Sequence, residues 1–361
     1  MGIKKRKWWL VAIGVIGALV IGIGAAGLWY IVQLKPVDNS NTERVAVVIE
    51  SGSSPSEIAH MLKEKKLVRN AFAFLVYARV NGAASNFQAG LHRISQSQSV
   101  PEVVETLQNA DTEEKVVQFV PGAMLRDNSS TSTEKKQDIR TTLERLGYQQ
   151  EEIERAFVAD YSDYNDTLFK DRPAGAGIEG YVWGETYYVA ADATVEQILR
   201  RTFDEYVKQI KENNLEAAFE KQGLTLYEGI TLASIIQKEV SCHGKQVCDD
   251  QKQVAQVFLK RLNEGISLGS DVTFIYAAAQ DGKTPTVDYD SLYNTRIHQG
   301  LPPGPISTPG LGALLAVAEP AKGDYLFFVS GDDGTMYYTR TDEEHNEITR
   351  KYCQVNCLLP Q

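Results

Sequence analysis

Hydrophobic and polar positions divide the chain into one long uncharged run and a series of short periodic segments. From Trp8 to Leu34 there is no charged side chain. About 20 apolar residues suffice to cross a bilayer as a helix. Trp8, Trp9, Trp29 and Tyr30 lie towards the ends of the run, where interfacial aromatics belong, and Lys4, Lys5, Arg6 and Lys7 precede it. The pattern predicts a cytoplasmic basic tail over residues 1–7, a single-pass membrane anchor over 8–34, and everything beyond it outside the cell membrane. A cleaved signal peptide is the alternative, with a shorter apolar region of about 7–15 residues.

After a polar linker at 35–43, residues 44–120 read as a small α/β module. Val45–Ile49 is strand-like. Ser54-Pro55-Ser56-Glu57 is a capping box with proline at the first helical position. Ile58, Ala59, Met61 and Leu62 give that helix an apolar face. A second helix is expected at 71–80, a strand at 90–94, a third helix after Ser99-x-x-Glu102, and a strand at 116–120. Residues 121–175 read as a linker holding helices at 139–145 and 150–159, with a Ser-, Thr-, Asp- and Lys-rich flexible insertion at 127–140. From 176 to 350 the pattern is mixed. A long helix starts at the Thr194-x-x-Gln197 box, another spans 225–240, and another spans 251–263 with Val254, Val257, Phe258 and Leu262 inward. A hairpin lies at 325–339. Residues 351–361 form a tail. The fold class is α+β.

One polar residue breaks the helical pattern. With Leu232 at zero and about 100° per residue, Ile235, Ile236, Ala233 and Val240 fall on one arc. Glu239 lands inside that arc, between Ile235 and Leu232. Ser234, Gln237 and Lys238 fall opposite. A carboxyl on an apolar face loses hydration and keeps its proton towards neutral pH, which a general acid needs. The bland reading is a flanking Glu that reaches water. Glu228 shares the face, but the Thr225-x-x-Glu228 capping box gives it a local task.

The net charge is −10, and the part beyond the four N-terminal basic residues is more acidic still. This argues against nucleic acid as a partner. All four cysteines are late: Cys242, Cys248, Cys353 and Cys357. An external location suggests disulfides, with Cys242–Cys248 and Cys353–Cys357 preferred among three connectivities. The rival is a metal site from Cys242, His243 and Cys248; without a Cys-x-x-Cys pair, no metal is expected.

Four ordered segments resemble the YceG-like (MltG-type) endolytic murein transglycosylases. They are Ile178-Glu179-Gly180-Tyr181-Val182-Trp183-Gly184-Glu185-Thr186-Tyr187, then Ala233-Ser234-Ile235-Ile236-Gln237-Lys238-Glu239, then Leu268-Gly269-Ser270-Asp271-Val272-Thr273-Phe274-Ile275-Tyr276. The fourth is Tyr293-Asn294-Thr295 followed by Gly300-Leu301-Pro302-Pro303-Gly304-Pro305-Ile306. Gln237 departs from the family's Glu-Lys-Glu, Gly184-Glu185 from its Pro-Asp, and Val272 from a proline. The resemblance implies a membrane anchor, a LysM-like module at 44–120, and a catalytic domain at 176–350. It implies cleavage of the bond between N-acetylmuramic acid and N-acetylglucosamine in nascent glycan strands, leaving 1,6-anhydro ends. Glu239 would be acid and then base, with no metal or organic cofactor. Substrate contacts are expected from Glu179, Tyr181, Ser270, Asp271, Thr273, Tyr276, Tyr293 and Asn294, with His345 structural in a surface turn. Peptidoglycan synthases are candidate partners. Two rivals stay open: a non-catalytic glycan-binding scaffold, and a water-using muramidase with Asp271 or Glu179 as its second carboxylate.

Overall fold

The computed structural model describes residues 21–50, 52–109, 114–130, 136–240, 242 and 248–355. The chain forms two compact units, Met1–Val116 with Tyr188–Ala191, and Val117–Tyr187 with Asp192–Gln361. The class is mixed α+β with small sheets.

In the first unit, residues 21–33 are helical (α1). Ile21, Ile23, Leu28, Ile31 and Val32 on this helix are exposed. The expected span falls partly on residues 1–20, outside the described residues. Among the described residues, no helix is long and apolar enough to cross a membrane. Strand β1 (Arg44–Ile49) pairs antiparallel with β2 (Gly90–Ser95), Val47 opposite His92. Between them run α2 (Pro55–Glu64) and α3 (Ala71–Val80), and α4 (Val100–Gln108) follows. The boxes at Ser54/Glu57 and Ser99/Glu102 start α2 and α4 as expected. Val47, Ile58, Leu62, Phe74, Ile94, Val103 and Leu107 close one core. The expected linker at 35–43 is held to this unit. Val100 N–H donates to Leu34 O at 2.9 Å, and Arg69 Nη2 donates to Pro36 O at 2.6 Å.

Strands β3 (Glu114–Gln118) and β4 (Thr186–Ala190) pair, and the division between the units cuts through both. The second unit then carries α5 (Ile139–Arg145), α6 (Gln150–Phe157), α7 (Val195–Glu212), α8 (Leu215–Lys221), α9 (Leu226–Glu239) and α10 (Asp249–Asn263). After these come α11 (Asp271–Gln280), α12 (Leu311–Ala318), β5 (Phe327–Ser330), β6 (Met336–Thr339) and α13 (Asp342–Tyr352). Residues 121–175 belong to this unit rather than linking to it, because Leu125, Ile139, Leu143, Ile153 and Phe157 are buried. Of the expected flexible insertion, 131–135 lie outside the described residues. Its flanks are tied down, with Asn128 Nδ2 donating to Gln280 O at 2.7 Å and Lys136 Nζ to Asp127 O at 2.6 Å.

Helix α9 is the buried axis of the unit, with Ile230 to Ile236 all inaccessible. Gly229 permits α8 to approach, since a Cβ there would sit 2.1 Å from the Phe219 ring. Helices α8, α11, α12 and α13 and strand β4 are beyond what the sequence pattern predicted. Helix α12, Leu-Gly-Ala-Leu-Leu-Ala-Val-Ala, is apolar on every side and shows no period. His345 is in α13 rather than in a turn, its ring stacked on Phe327 at 5.3 Å.

Candidate functional site

The capping box of Thr225 and Glu228 fixes the start of α9, and Val240 ends it by turning extended at φ −130° and ψ 120°. Glu239 is therefore the last helical residue, at the negative end of the helix dipole, which disfavours its charged form. The residue keeps part of its surface open. Burial pushes its carboxyl up to about 7. The hydrogen bond from Ser270 lowers it, the Asp271 carboxylate raises it, and the Arg296 guanidinium lowers it.

Ser270, the N-cap of α11, donates its hydroxyl to Glu239 Oε1 at 2.5 Å. Its own backbone is braced. Ser270 N–H donates to Thr295 Oγ1 at 3.1 Å, and Thr273 Oγ1 donates to Ser270 O at 2.7 Å. Arg296 Nε donates to Asp271 Oδ1. Arg296 escaped the sequence reading; the signal was a lone cation two residues after Asn294 in an acidic chain. Gln237, where the family motif carries Glu, accepts from Gly310 N–H at 3.0 Å and so ties α9 to the start of α12.

Glu179 is a second enclosed carboxyl with a different environment. Burial pushes it up to about 7, opposed by donors. Leu125 N–H lies 3.1 Å from both of its oxygens, Gly180 N–H donates to Oε1 at 3.2 Å, and Tyr276 Oη donates to Oε2 at 3.3 Å.

Three expected substrate contacts are interior residues. Tyr181 is fully buried, its ring 4.8 Å from Phe169. Thr273 is buried in the brace beneath Ser270. Asn294 is buried, its Nδ2 donating to the carbonyls of Val287 and Tyr289 and its Oδ1 accepting from Arg296 N–H. All three are interior positions, the polar groups of Thr273 and Asn294 engaged by protein and the Tyr181 ring packed on Phe169. Tyr276 is nearly buried and meets Tyr293, which is partly exposed, at 5.1 Å between ring centroids. Asp271 pairs with Arg296 while staying partly open to solvent.

Cys242 and Cys248 form a disulfide with Cα atoms 5.6 Å apart. It consumes both thiols that the rival metal site needs, while His243 lies outside the described residues. Cys353 is disulfide-bonded. The expected partner, Cys357, lies outside the described residues.

A cleft of about 620 Å³ lies at the opposite end of α9, beside Thr225, Tyr227 and Asn263. Of its two carboxylates, Glu228 is occupied by capping and Asp171 is exposed. The chemistry places the candidate site at Glu239 instead.

Residues 47–351 match the YceG-like family. The chain belongs to that family. This YceG-like chain is 28% identical to an endolytic murein transglycosylase of Bacillus subtilis (strain 168), over 91% of each chain. It is 27% identical to an endolytic murein transglycosylase of Streptococcus pneumoniae serotype 2, over 94% of this chain and 64% of that protein. A crystal structure of a putative yceG-like protein from Listeria monocytogenes superposes with a TM-score of 0.57 at 26% identity, covering 85% of this chain and 99% of the other. Within the YceG-like chain, the four resembling segments supply Glu179, Glu239, Ser270 and Tyr293. The structure joins the first three through α11, from Ser270 at its cap to Tyr276 on its second turn.

Proposed function

We propose that this YceG-like protein is a peptidoglycan lytic transglycosylase that cuts glycan strands within their length. The observation that carries the proposal is Glu239: an enclosed, partly accessible carboxyl that holds a proton near neutrality, braced by Ser270. In the first step its proton passes to the glycosidic oxygen, the bond from muramic acid C1 to that oxygen breaks, and the N-acetylglucosamine end leaves as an alcohol. Positive charge collects at C1. The C6 hydroxyl of the same muramic acid then attacks C1, and its proton passes to the Glu239 carboxylate. No water is consumed, and the acid is regenerated. Each proton transfer is worth roughly 10²–10⁴-fold.

The two rivals fit less well. A binding scaffold has no use for a carboxyl held in its acid form. A muramidase needs a second carboxylate free to activate water. Asp271 is engaged by Arg296, and both oxygens of Glu179 already accept protein donors. Product mass separates the readings: an anhydro end supports the transglycosylase, a reducing end the hydrolase, and no product the scaffold.

The same proposal takes the uncharged run at 8–34 as an anchor that keeps the enzyme at the outer face of the cell membrane, near emerging strands and their synthases. Support comes from the absence of charge and from the exposed apolar side chains on α1. It also takes the first unit as a LysM-like glycan-binding module, supported by its strand–helix–helix–strand order. Deletion of residues 1–33, which spares the Leu34 and Pro36 contacts, is expected to yield a soluble enzyme with intact cleavage of purified glycan. Recovery of the undeleted protein in the soluble fraction, with its N-terminus processed, contradicts the anchor.

A further inference from the structure

The mechanism above leaves Glu179 unused, although its carboxyl is enclosed and bonded from three sides. Leu125 and Gly180 offer backbone N–H groups, and Tyr276 offers its phenol. All three are donors, so the ionised carboxylate is the form that holds all of them at once. These donors come from separate parts of the second unit. Leu125 belongs to the segment before α5, Gly180 follows Glu179 itself, and Tyr276 stands on α11.

The Leu125 segment is bonded to the C-terminal end of α11. Gln280 Nε2 donates to Arg126 O at 2.7 Å, and Asn128 N–H donates to Ala279 O at 3.1 Å. Glu179, partly accessible as Glu239 is, is the tie within this strap. The other end of α11 is Ser270, whose hydroxyl holds Glu239. Six residues separate Ser270 from Tyr276, about 9 Å of rigid helix. A shift of Tyr276 therefore moves the Ser270 hydroxyl and the Tyr276–Tyr293 ring pair together.

We propose that Glu179 is a positioning residue for the reaction: as a carboxylate it ties the Leu125 backbone to Tyr276 and so fixes α11 and the Ser270 hydroxyl against Glu239. This rests on Glu239 being the acid. It gives the two carboxyls opposite requirements, since Glu239 must start with a proton and Glu179 without one. The titratable and charged groups facing Glu179 are Arg126 from its strap, Lys238 from the end of α9, Tyr276 from α11 and Tyr293 from the loop beyond it. Those facing Glu239 are Asp271 and Arg296.

The test follows release of anhydro product by mass, using purified glycan strands, from about pH 5 to pH 9. Wild type is expected to show two limbs: an acid limb from Glu179 and a basic limb from Glu239. Glu179→Gln is expected to melt cooperatively, to lose kcat about tenfold with KM within about twofold, and to lose the acid limb while keeping the basic one. Tyr276→Phe removes the tie from the other side; about a threefold loss of kcat with the acid limb retained is expected. Wild-type kcat in Glu179→Gln, or an acid limb that survives in it, overturns the assignment. Should Glu179→Gln fail to fold, Tyr276→Phe decides, and unchanged kcat in that variant overturns it. The two failures are distinguishable. No anhydro product from wild type sinks the transglycosylase reading itself, whereas anhydro product together with an indifferent Glu179→Gln sinks only the positioning role.

Discussion

Helix α11 holds a glutamate at each of two turns, Glu239 through Ser270 and Glu179 through Tyr276, and the contrast between them lies in their partners. Burial raises both carboxyls to about 7. Around Glu239, among the described residues, there are one hydroxyl donor, the Asp271 carboxylate, the Arg296 guanidinium and the C-terminal end of α9. Around Glu179 there are two backbone N–H groups and a phenol. Equal burial thus comes with unlike surroundings, and the hydrogen-bond census rather than the depth distinguishes the two carboxyls. Sequence offered both residues as carboxylates in family-like motifs; only their partners tell them apart.

The comparison breaks most completely at Glu239. Glu239→Gln keeps the shape and the Ser270 contact but has no proton to give, so cleavage should fall by at least about 10²-fold while the thermal melt stays cooperative. Full activity in that variant, measured on the same glycan, removes Glu239 from the chemistry.

The neighbours of Glu239 sharpen the contrast. Asp271→Asn removes the carboxylate that raises the acid, so the basic limb of the rate profile should move to lower pH. Ser270→Ala removes a bond that lowers it, so the limb should move up, with about a tenfold loss of rate from poorer orientation. Shifts in the same direction for both variants contradict the account of the site's electrostatics.

Stability should respond to the same groups. Both folded carboxyls lie above the ordinary 4.5, so their contribution is fully present below about 4.5 and is lost as pH rises through about 7. Glu239→Gln has no such loss and should be more stable than wild type at pH 8, by on the order of 1–3 kcal/mol, with little difference at pH 4. Equal unfolding free energies for the two proteins at pH 8 show that Glu239 is not enclosed.

The smallest expected effect concerns a feature present beside one glutamate and not the other. The Cys242–Cys248 disulfide follows the acid by three residues. Its short loop should contribute roughly 2 kcal/mol, and replacing both cysteines by serine should lower the melting temperature while leaving the pH limbs in place. A displaced basic limb in the double variant assigns the disulfide a part in tuning the acid.

Legibility in the sequence followed the chemistry of pattern. The capping boxes at Ser54, Ser99, Thr194 and Thr225 announced four helix starts, and all four form. Glu239 was legible because one polar residue interrupted an apolar arc. The surroundings of Glu239 were not, because Ser270 and Arg296 reach it from 31 and 57 positions away, and no local period encodes that closure. Helix α12 was hidden by being apolar all round, whereas a helix after Asp271, which α11 is, stood open as an alternative. Tyr181, Thr273 and Asn294 stood in the right motifs but face inward, since a motif preserves a scaffold as readily as a contact. The tie at Glu179 depends on a backbone N–H of Leu125, a group that no side-chain pattern can display.

The pairing of β3 with β4, cut by the boundary between the units, bears on how this chain is divided by proteases. The first unit owns Tyr188–Ala191, which lie more than seventy residues beyond the rest of it. A nick near residue 116 does not release a self-contained cassette. Loss of the chain up to residue 116 would take away part of β3, leave part of β4 unpaired and bare N–H and C=O groups, the kind of edge on which chains aggregate.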